Sequence, residues 1–277
     1  MASITDCVVE GLKYPFNDIK KLLGLGGLFA LISAISVFIS VKSFGIFRAA
    51  VNVVEKSNVT ASQLSFSQLP SGDIYLVAGL AIVSFIITLF IFGYQYNIVK
   101  FSIDKKEDLP GFGDLVGMFI KGIKYFLVIL AYNIIPLLVF AGGIMFGGES
   151  FVIYVMLISM LLFIIAFFLQ IMALNNMIAH DSLKKAFDIR EIIDNIANLG
   201  WAKYIGIILF TIIVYMIIMV AVSFVLSFIT VLFAATISNQ ALIISVVIAV
   251  IEGLFIDSYG ALFYNRVCGS IYRESIK

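Results

Sequence analysis

Residues Tyr96–Tyr125 read YNIVKFSIDKKEDLPGFGDLVGMFIKGIKY, and the reading of this stretch decides the fold. It leaves an apolar run through a charged patch, turns at Pro110, and becomes an amphipathic segment that passes straight into the next apolar run. A weaker form of the pattern precedes the first apolar run, and another precedes the fifth. The chain therefore reads as all-α: a polytopic membrane protein of six transmembrane helices in three hairpins, with amphipathic interfacial helices on the charged side. The hairpin units cover about 1–100, 101–182 and 183–277 of a single integral membrane domain.

Composition supports the class. Of 277 residues, 62% are apolar and 13% charged, with a mean hydropathy of +1.12. Soluble domains carry roughly 45–50% apolar and about 25% charged residues. So little polar surface cannot cover so apolar a core in water, which makes lipid the solvent. A net charge of +1 offers nucleic acid no electrostatic footprint. Cys7 and Cys268 stand at opposite ends without metal-ligand spacing, so neither a cofactor nor a metal is implied. Acids among the first lysines and a long first apolar run argue for a retained N-terminus over a cleaved signal peptide.

The predicted spans are Leu22–Val41, Ile74–Val99, Tyr125–Phe146, Phe151–Ile178, Tyr204–Ile237 and Ala241–Phe263. Each is long enough for a ~30 Å hydrocarbon core at ~1.5 Å per residue. Residues 42–73 form the long loop on the far side, helical and amphipathic over Ser43–Lys56 and irregular afterwards. Turns are expected at Gly147–Ser150 and at Ser238–Gln240, and Pro136 should kink the third span. Residues 184–199 form an interfacial helix, with Ile189, Ile192, Ile193 and Ile196 at i, i+3, i+4, i+7 spacing. Tyr14, Tyr125, Trp201 and Tyr204 fall where an aromatic belt is expected. All of the 18 lysines and arginines except Lys42, Arg48 and Lys56 lie on the side of the termini. The positive-inside rule then places both termini in the cytoplasm and the protein in the cell membrane.

Two segments repeat in register: Tyr96-Asn97-Ile98-Val99 with Ser102-Ile103, and Tyr264-Asn265-Arg266-Val267 with Ser270-Ile271. The hairpin starts also rhyme, as Phe16-Asn17-Asp18-Ile19, Phe112-Gly113-Asp114-Leu115 and Phe187-Asp188-Ile189. Either an internal duplication or the shared chemistry of membrane-exit segments accounts for this.

The loop Leu109-Pro110-Gly111-Phe112-Gly113-Asp114, followed by Lys121-Gly122-Ile123-Lys124, Tyr132 and Pro136, resembles an uncharacterised prokaryotic (archaeal and bacterial) family of polytopic membrane proteins. That family has a Leu-Pro-x-Phe-x-Asp cytoplasmic loop. A more distant similarity is to the membrane domain of glycerophosphodiester phosphodiesterases, whose catalytic domain has no counterpart here. The resemblance implies fold and localisation and assigns no catalytic residue.

Glu252 and Asp257 are acids inside the sixth span, ~16 Å and ~24 Å from its start. An ionisable group near the bilayer centre costs roughly 2.5–3.5 kcal/mol on insertion scales, so both are functional candidates. On an α-helix five residues separate them by about 140°. Asp257 continues a stripe of Ser245, Ala249 and Gly253, where small residues admit a close neighbour. Glu252 is either a protonated carboxyl held inside the bundle, with Asn133 as a partner, or an ion or proton site. Asp257 is equally open to pairing with Arg266 or Lys203. Gln95, Asn97, Gln170, Asn175, Asn176 and Asn265 gather at the inner ends of the even-numbered spans, where they either line a cytoplasm-facing vestibule or cap their helices. His180-Asp181-Ser182 holds triad residue types, but consecutive residues do not face one another on a helix. The reading that follows is a non-enzymatic, membrane-organising protein that binds lipid or a partner. The bilayer, anionic headgroups, and a membrane-protein partner or second copy are the partner classes. The alternative is a small-solute or proton-coupled transporter using Glu252 and the vestibule.

Overall fold

The computed structural model describes residues 3–57, 65–146, 151–236 and 241–276. The turns expected at 147–150 and 238–240 lie outside them, as does Asn58-Val59-Thr60, which matches the N-glycosylation sequon. Among the described residues there is no strand, and the helices run as α1 (Ile4–Lys13), α2 (Ile19–Ser57), α3 (Ser71–Ile103), α4 (Leu115–Phe146), α5 (Val152–His180), α6 (Ile189–Leu199), α7 (Trp201–Thr236), α8 (Ala241–Ile251) and α9 (Ser258–Ser275). A π-helical turn, Glu252–Asp257, joins α8 to α9. Six helices are long and apolar enough to cross a membrane: α2, α3, α4, α5, α7 and the α8–α9 rod. The protein is a multi-pass membrane protein.

Two boundaries move from the sequence reading. α2 continues without a break from Ile19 to Ser57, 39 residues or roughly 58 Å, so the helix expected over Ser43–Lys56 is continuous with the first span. No proline interrupts 42–57, and its apolar face carries the helix on. The sixth span likewise runs on to Ser275. Its charged tail lies inside the protein, with Arg266, Ser270, Ile271, Tyr272 and Glu274 all buried.

The hairpin rhyme has a local cause. Asp18, Asp114 and Asp188 each stand one residue before a helix and accept a hydrogen bond from a backbone N–H in its first turn. The donors are Lys21 at 3.1 Å, Gly117 at 2.8 Å and Glu191 at 3.3 Å. A capping carboxylate satisfies an orphan donor and sits at the positive end of the helix dipole.

Compact packing divides the chain into two units, and the boundaries fall inside helices. The first comprises 1–22, 89–219 and 259–277 and holds the principal core, with Val8, Val99, Met177, Ile192, Ile196, Tyr204, Phe263 and Tyr272 at its centre. The helix expected at the headgroup interface belongs to this core: Ile192 and Ile196 are fully buried by protein, while Ile189 and Ile193 face outward. Gly200, at φ 91°, ends α6 and releases α7. Tyr14, Tyr125 and Tyr204, expected as belt anchors, are buried; only Trp201 of the four is exposed. A polar layer inside a bundle and a headgroup interface call for the same residue types, which is why the pattern did not separate them.

α3 and α4 approach backbone to backbone through reciprocal glycines. A Cβ on Gly93 would strike the carbonyl of Met118, and one on Gly122 the carbonyl of Leu89. The serines of the repeated segments also meet in this unit. The hydroxyls of Ser102 and Ser270 both donate to the Arg266 carbonyl, at 2.7 and 3.0 Å.

The second unit comprises 23–88 and 220–258. Lys42 on α2 pairs with Asp73 at the start of α3 at 2.8 Å. The small-residue stripe meets its neighbour at Gly253, where an added Cβ would lie 2.6 Å from the Ala30 nitrogen.

Alanine at Gly93 or Gly122 should therefore destabilise the fold by about 1–3 kcal/mol through overpacking, whereas Gly79→Ala, which meets open space, should not. Thermal unfolding of the three variants in detergent checks this; equal behaviour would refute the close approach.

Candidate functional site

The polar residues at the termini end are built from four directions. Asn175 on α5 donates to the Cys268 carbonyl at 2.9 Å, and Tyr125 on α4 donates to Asn265 on α9 at 3.4 Å. Tyr272 donates to Asn176 at 2.8 Å, while the Asn176 amide donates to the Lys185 carbonyl at 2.9 Å. Lys121 donates to Asn97 at 2.9 Å, and Gln95 lies half-buried on α3. The six residues expected around a vestibule do not share one opening. Gln170, Asn175 and Asn265 line a cavity of about 70 Å³ with Tyr125, Tyr264 and Cys268. That is room for about two waters, each needing ~30 Å³. Asn97 and Asn176 are tied off elsewhere. Asn133 donates to Gln170 at 2.7 Å and to the Ile129 carbonyl at 2.8 Å, which fills its amide.

Glu252 and Asp257 lie at the two ends of the π-helical turn, both partly buried. In this winding the bond runs from residue i to i+5 and each turn takes more than four residues, so positions five apart fall on roughly the same side. The two acids therefore share a side of the helix, where an α-helix would separate them. Among the described residues no side chain hydrogen-bonds to or ion-pairs with Glu252. Arg266, the counter-ion expected for Asp257, is engaged by Glu10.

That engagement is the main feature sequence reading missed. Glu10 on α1 accepts from Arg266 and from Arg273 on α9, both at 2.7 Å. Arg266 also donates to the Lys106 carbonyl at 2.5 Å and stacks its guanidinium 4.5 Å from the Tyr14 ring centre. Arg273 donates to the Ser102 carbonyl at 3.0 Å. Burial would raise the Glu10 carboxyl, but the hydrogen bond from Arg273 and the charge of Arg266 outweigh it and hold it below the ordinary carboxylate range. Burial pushes the Tyr14 phenol up to about 12 against the opposing charge of Arg266. The three charged side chains are 263 residues apart at the extremes, so no local pattern signals them.

Two apolar grooves open on the same unit. The larger, about 710 Å³, lies between α5 and α7 under Phe140, with Met156, Met160, Phe163, Phe167 and Leu209 on its walls. The buried hydroxyl of Ser159 lines it without a hydrogen-bond partner among the described residues. The second, about 320 Å³, lies between α4 and α5 and ends at Phe187 and Ile189. His180, Asp181 and Ser182 form no triad: the His180 ring contacts the Asn176 carbonyl and Glu191, while Asp181 takes Tyr96 and Lys124. Among the described residues no cluster of His, Cys, Asp or Glu could hold a metal.

The family model described as "Protein of unknown function (DUF4013)" matches residues 76–227. The chain belongs to the DUF4013 family. The segment matched by DUF4013 begins on α3 and ends on α7, so it carries both grooves. The Glu10–Arg266–Arg273 cluster and the two intramembrane acids lie outside it. No curated protein and no solved structure matches the chain.

Glu10→Gln leaves the buried Arg266 and the half-buried Arg273 short of charge and should cost about 3 kcal/mol or more. Because the folded carboxyl is depressed, its stabilisation is fully present above about pH 4.3, the ordinary glutamate value, and is lost as pH falls through the lower folded value. Thermal melts from pH 7 to pH 3 should show a lower midpoint for Glu10→Gln at neutrality. They should also show a smaller acid-induced loss than in the parent.

Proposed function

We propose that the protein is a non-enzymatic, lipid-binding and membrane-organising member of its family, set in the cell membrane with both termini in the cytoplasm. The observation that carries this reading is the larger groove, apolar along its walls and open on spanning helices. Inside a bilayer the neighbours of such a groove are acyl chains, and flexible methionine with aromatic walls adapts to them. The polar residues at the termini end support the same reading, because they bond to one another around a water-sized cavity. Basic residues concentrated on the termini side suit the anionic cytoplasmic leaflet.

Transport coupled to Glu252 is the second reading, and one observation favours it. The π-helical turn places two acids on one side of a spanning helix, and such turns recur at functional sites.

Native mass spectrometry of the full chain released from lipid nanodiscs should show retained phospholipid. Vesicles reconstituted with the parent or with Glu252→Gln should show no pH-driven flux. A flux in the parent that vanishes in the variant would replace the lipid-binding reading with the transporter. For orientation, native cysteines are poor reporters: Cys7 and Cys268 are both buried, and burial pushes the Cys7 thiol up. With both native cysteines replaced by serine, Lys56→Cys should label from outside intact cells with an impermeant reagent and Ala197→Cys should not.

A further inference from the structure

We infer that the groove between α4 and α5 is a specific site for one anionic phospholipid, with its phosphate held by Lys184 and Arg190. The inference rests on the lipid-binding reading above and adds a place and a headgroup charge to it.

The groove's walls are Ala131, Ile135 and Pro136 from α4 and Leu162, Ile165 and Leu169 from α5. Pro136 has no N–H to return to the Tyr132 carbonyl one turn earlier, so the α4 wall is interrupted by a polar oxygen without its usual donor. Tyr132 is fixed from its other end. Its hydroxyl donates to the Ala186 carbonyl at 2.7 Å, and its ring stacks on Phe187 at 6.2 Å. Groove and basic loop are thereby joined into one surface.

Charge at the loop is unequally shared. Lys185 satisfies Asp188 and Glu191 together, and Lys124 and Tyr96 hold Asp181. Lys184 and Arg190 are exposed and, among the described residues, have no ion-pair or hydrogen-bond partner. Asp194, one turn beyond Arg190, forms no ion pair with it. Leu183–Phe187 is a 3₁₀ turn, in which residues i and i+3 eclipse, so Lys184 stands on the same side as Phe187. Arg190 follows Ile189, the other residue at the groove's mouth. Lys184 and Arg190 thus sit three residues and one residue away from Phe187 and Ile189, which end the apolar slot.

Selectivity must come from these cations. Acyl chains are as apolar as leucine, so transfer from bilayer to groove gains only packing and does not distinguish one phospholipid class from another. A basic residue at the surface does distinguish them, by its attraction to a net negative headgroup.

The test uses the full chain in nanodiscs of equal phosphatidylglycerol and phosphatidylcholine, read by native mass spectrometry. The parent should retain phosphatidylglycerol over phosphatidylcholine by about 10- to 30-fold. The double variant Lys184→Ala/Arg190→Ala changes only exposed side chains and should fold normally while its ratio falls toward one. Ala131→Phe fills the groove and should lower the retained lipid of both classes. A ratio of one in the parent, or a high ratio that survives the double variant, overturns this site and leaves the lipid-binding reading standing. Retention of no lipid at all overturns both. Inorganic phosphate that displaces phosphatidylglycerol at equal concentration would show that the cations bind phosphate alone and would also overturn the assignment.

Discussion

One carboxylate joins the two ends of the chain. Glu10 accepts from Arg266 and Arg273, and so ties the first helix of the chain to the last. Arg266 is almost wholly buried, with only 5% of its side chain exposed. Removing a guanidinium from water costs several kcal/mol, and three neighbours offset this while the Nε stays without a hydrogen-bond partner among the described residues. Glu10, the Lys106 carbonyl and the Tyr14 ring are these neighbours. The 104–114 loop is drawn into the same arrangement by Tyr14, Asn17 and Lys21, whose side chains donate to the carbonyls of Asp108, Glu107 and Leu109. The charged segment before Pro110 is thus fastened to the stretch that joins α1 to α2.

The hydropathy runs located all six spans because burial in lipid and burial in protein demand the same apolar residues over the same length. The same equivalence hid where lipid gives way to protein. Ile192 and Ile193 are adjacent members of one periodic face, yet one is buried by protein and the other faces outward. Periodicity finds the apolar stripe and does not say what covers each edge of it. Asn195 illustrates the cost: a polar residue off the isoleucine stripe, it is nonetheless buried, and its amide nitrogen has no partner among the described residues. The three capping aspartates were legible as a rhyme, and their meaning required seeing that each precedes a helix by one residue.

The candidate site was legible in its chemistry and not in its shape. Gln170, Asn175 and Asn265 were recognised as polar residues at span ends, and they do converge. Their partners come from α4 and α9, and such pairings between distant segments leave no spacing signal. The grooves left no trace at all, because Phe, Met and Ile on a spanning helix look the same whether they meet a cavity, a neighbour or a lipid. The unpaired cations beside the smaller groove were equally invisible. Lys184 and Lys185 are adjacent and identical in type, and only the structure shows that the second has consumed the local acids.

The two intramembrane acids show how far a local change in winding alters a functional argument. Counted on an α-helix, Glu252 and Asp257 point about 140° apart and cannot act together. The π-helical turn that begins at one and ends at the other reverses that conclusion, because its wider winding brings positions five apart onto roughly the same side. Gly253, inside the turn, is where the backbone comes nearest to Ala30 of α2, and any side chain there would collide. A close approach on one side of the helix and an expanded turn around it are consistent with a single accommodation: the extra backbone length lets the rod keep its glycine contact. If that accommodation is the origin of the turn, the proximity of the acids is a by-product of packing. If the acids are the reason, the winding is set by its own residues and the glycine contact follows from it. Gly253→Ala separates the two. A turn maintained only by the contact should relax toward α-helix and move the acids apart, whereas a turn selected for the acids should persist at a cost in stability.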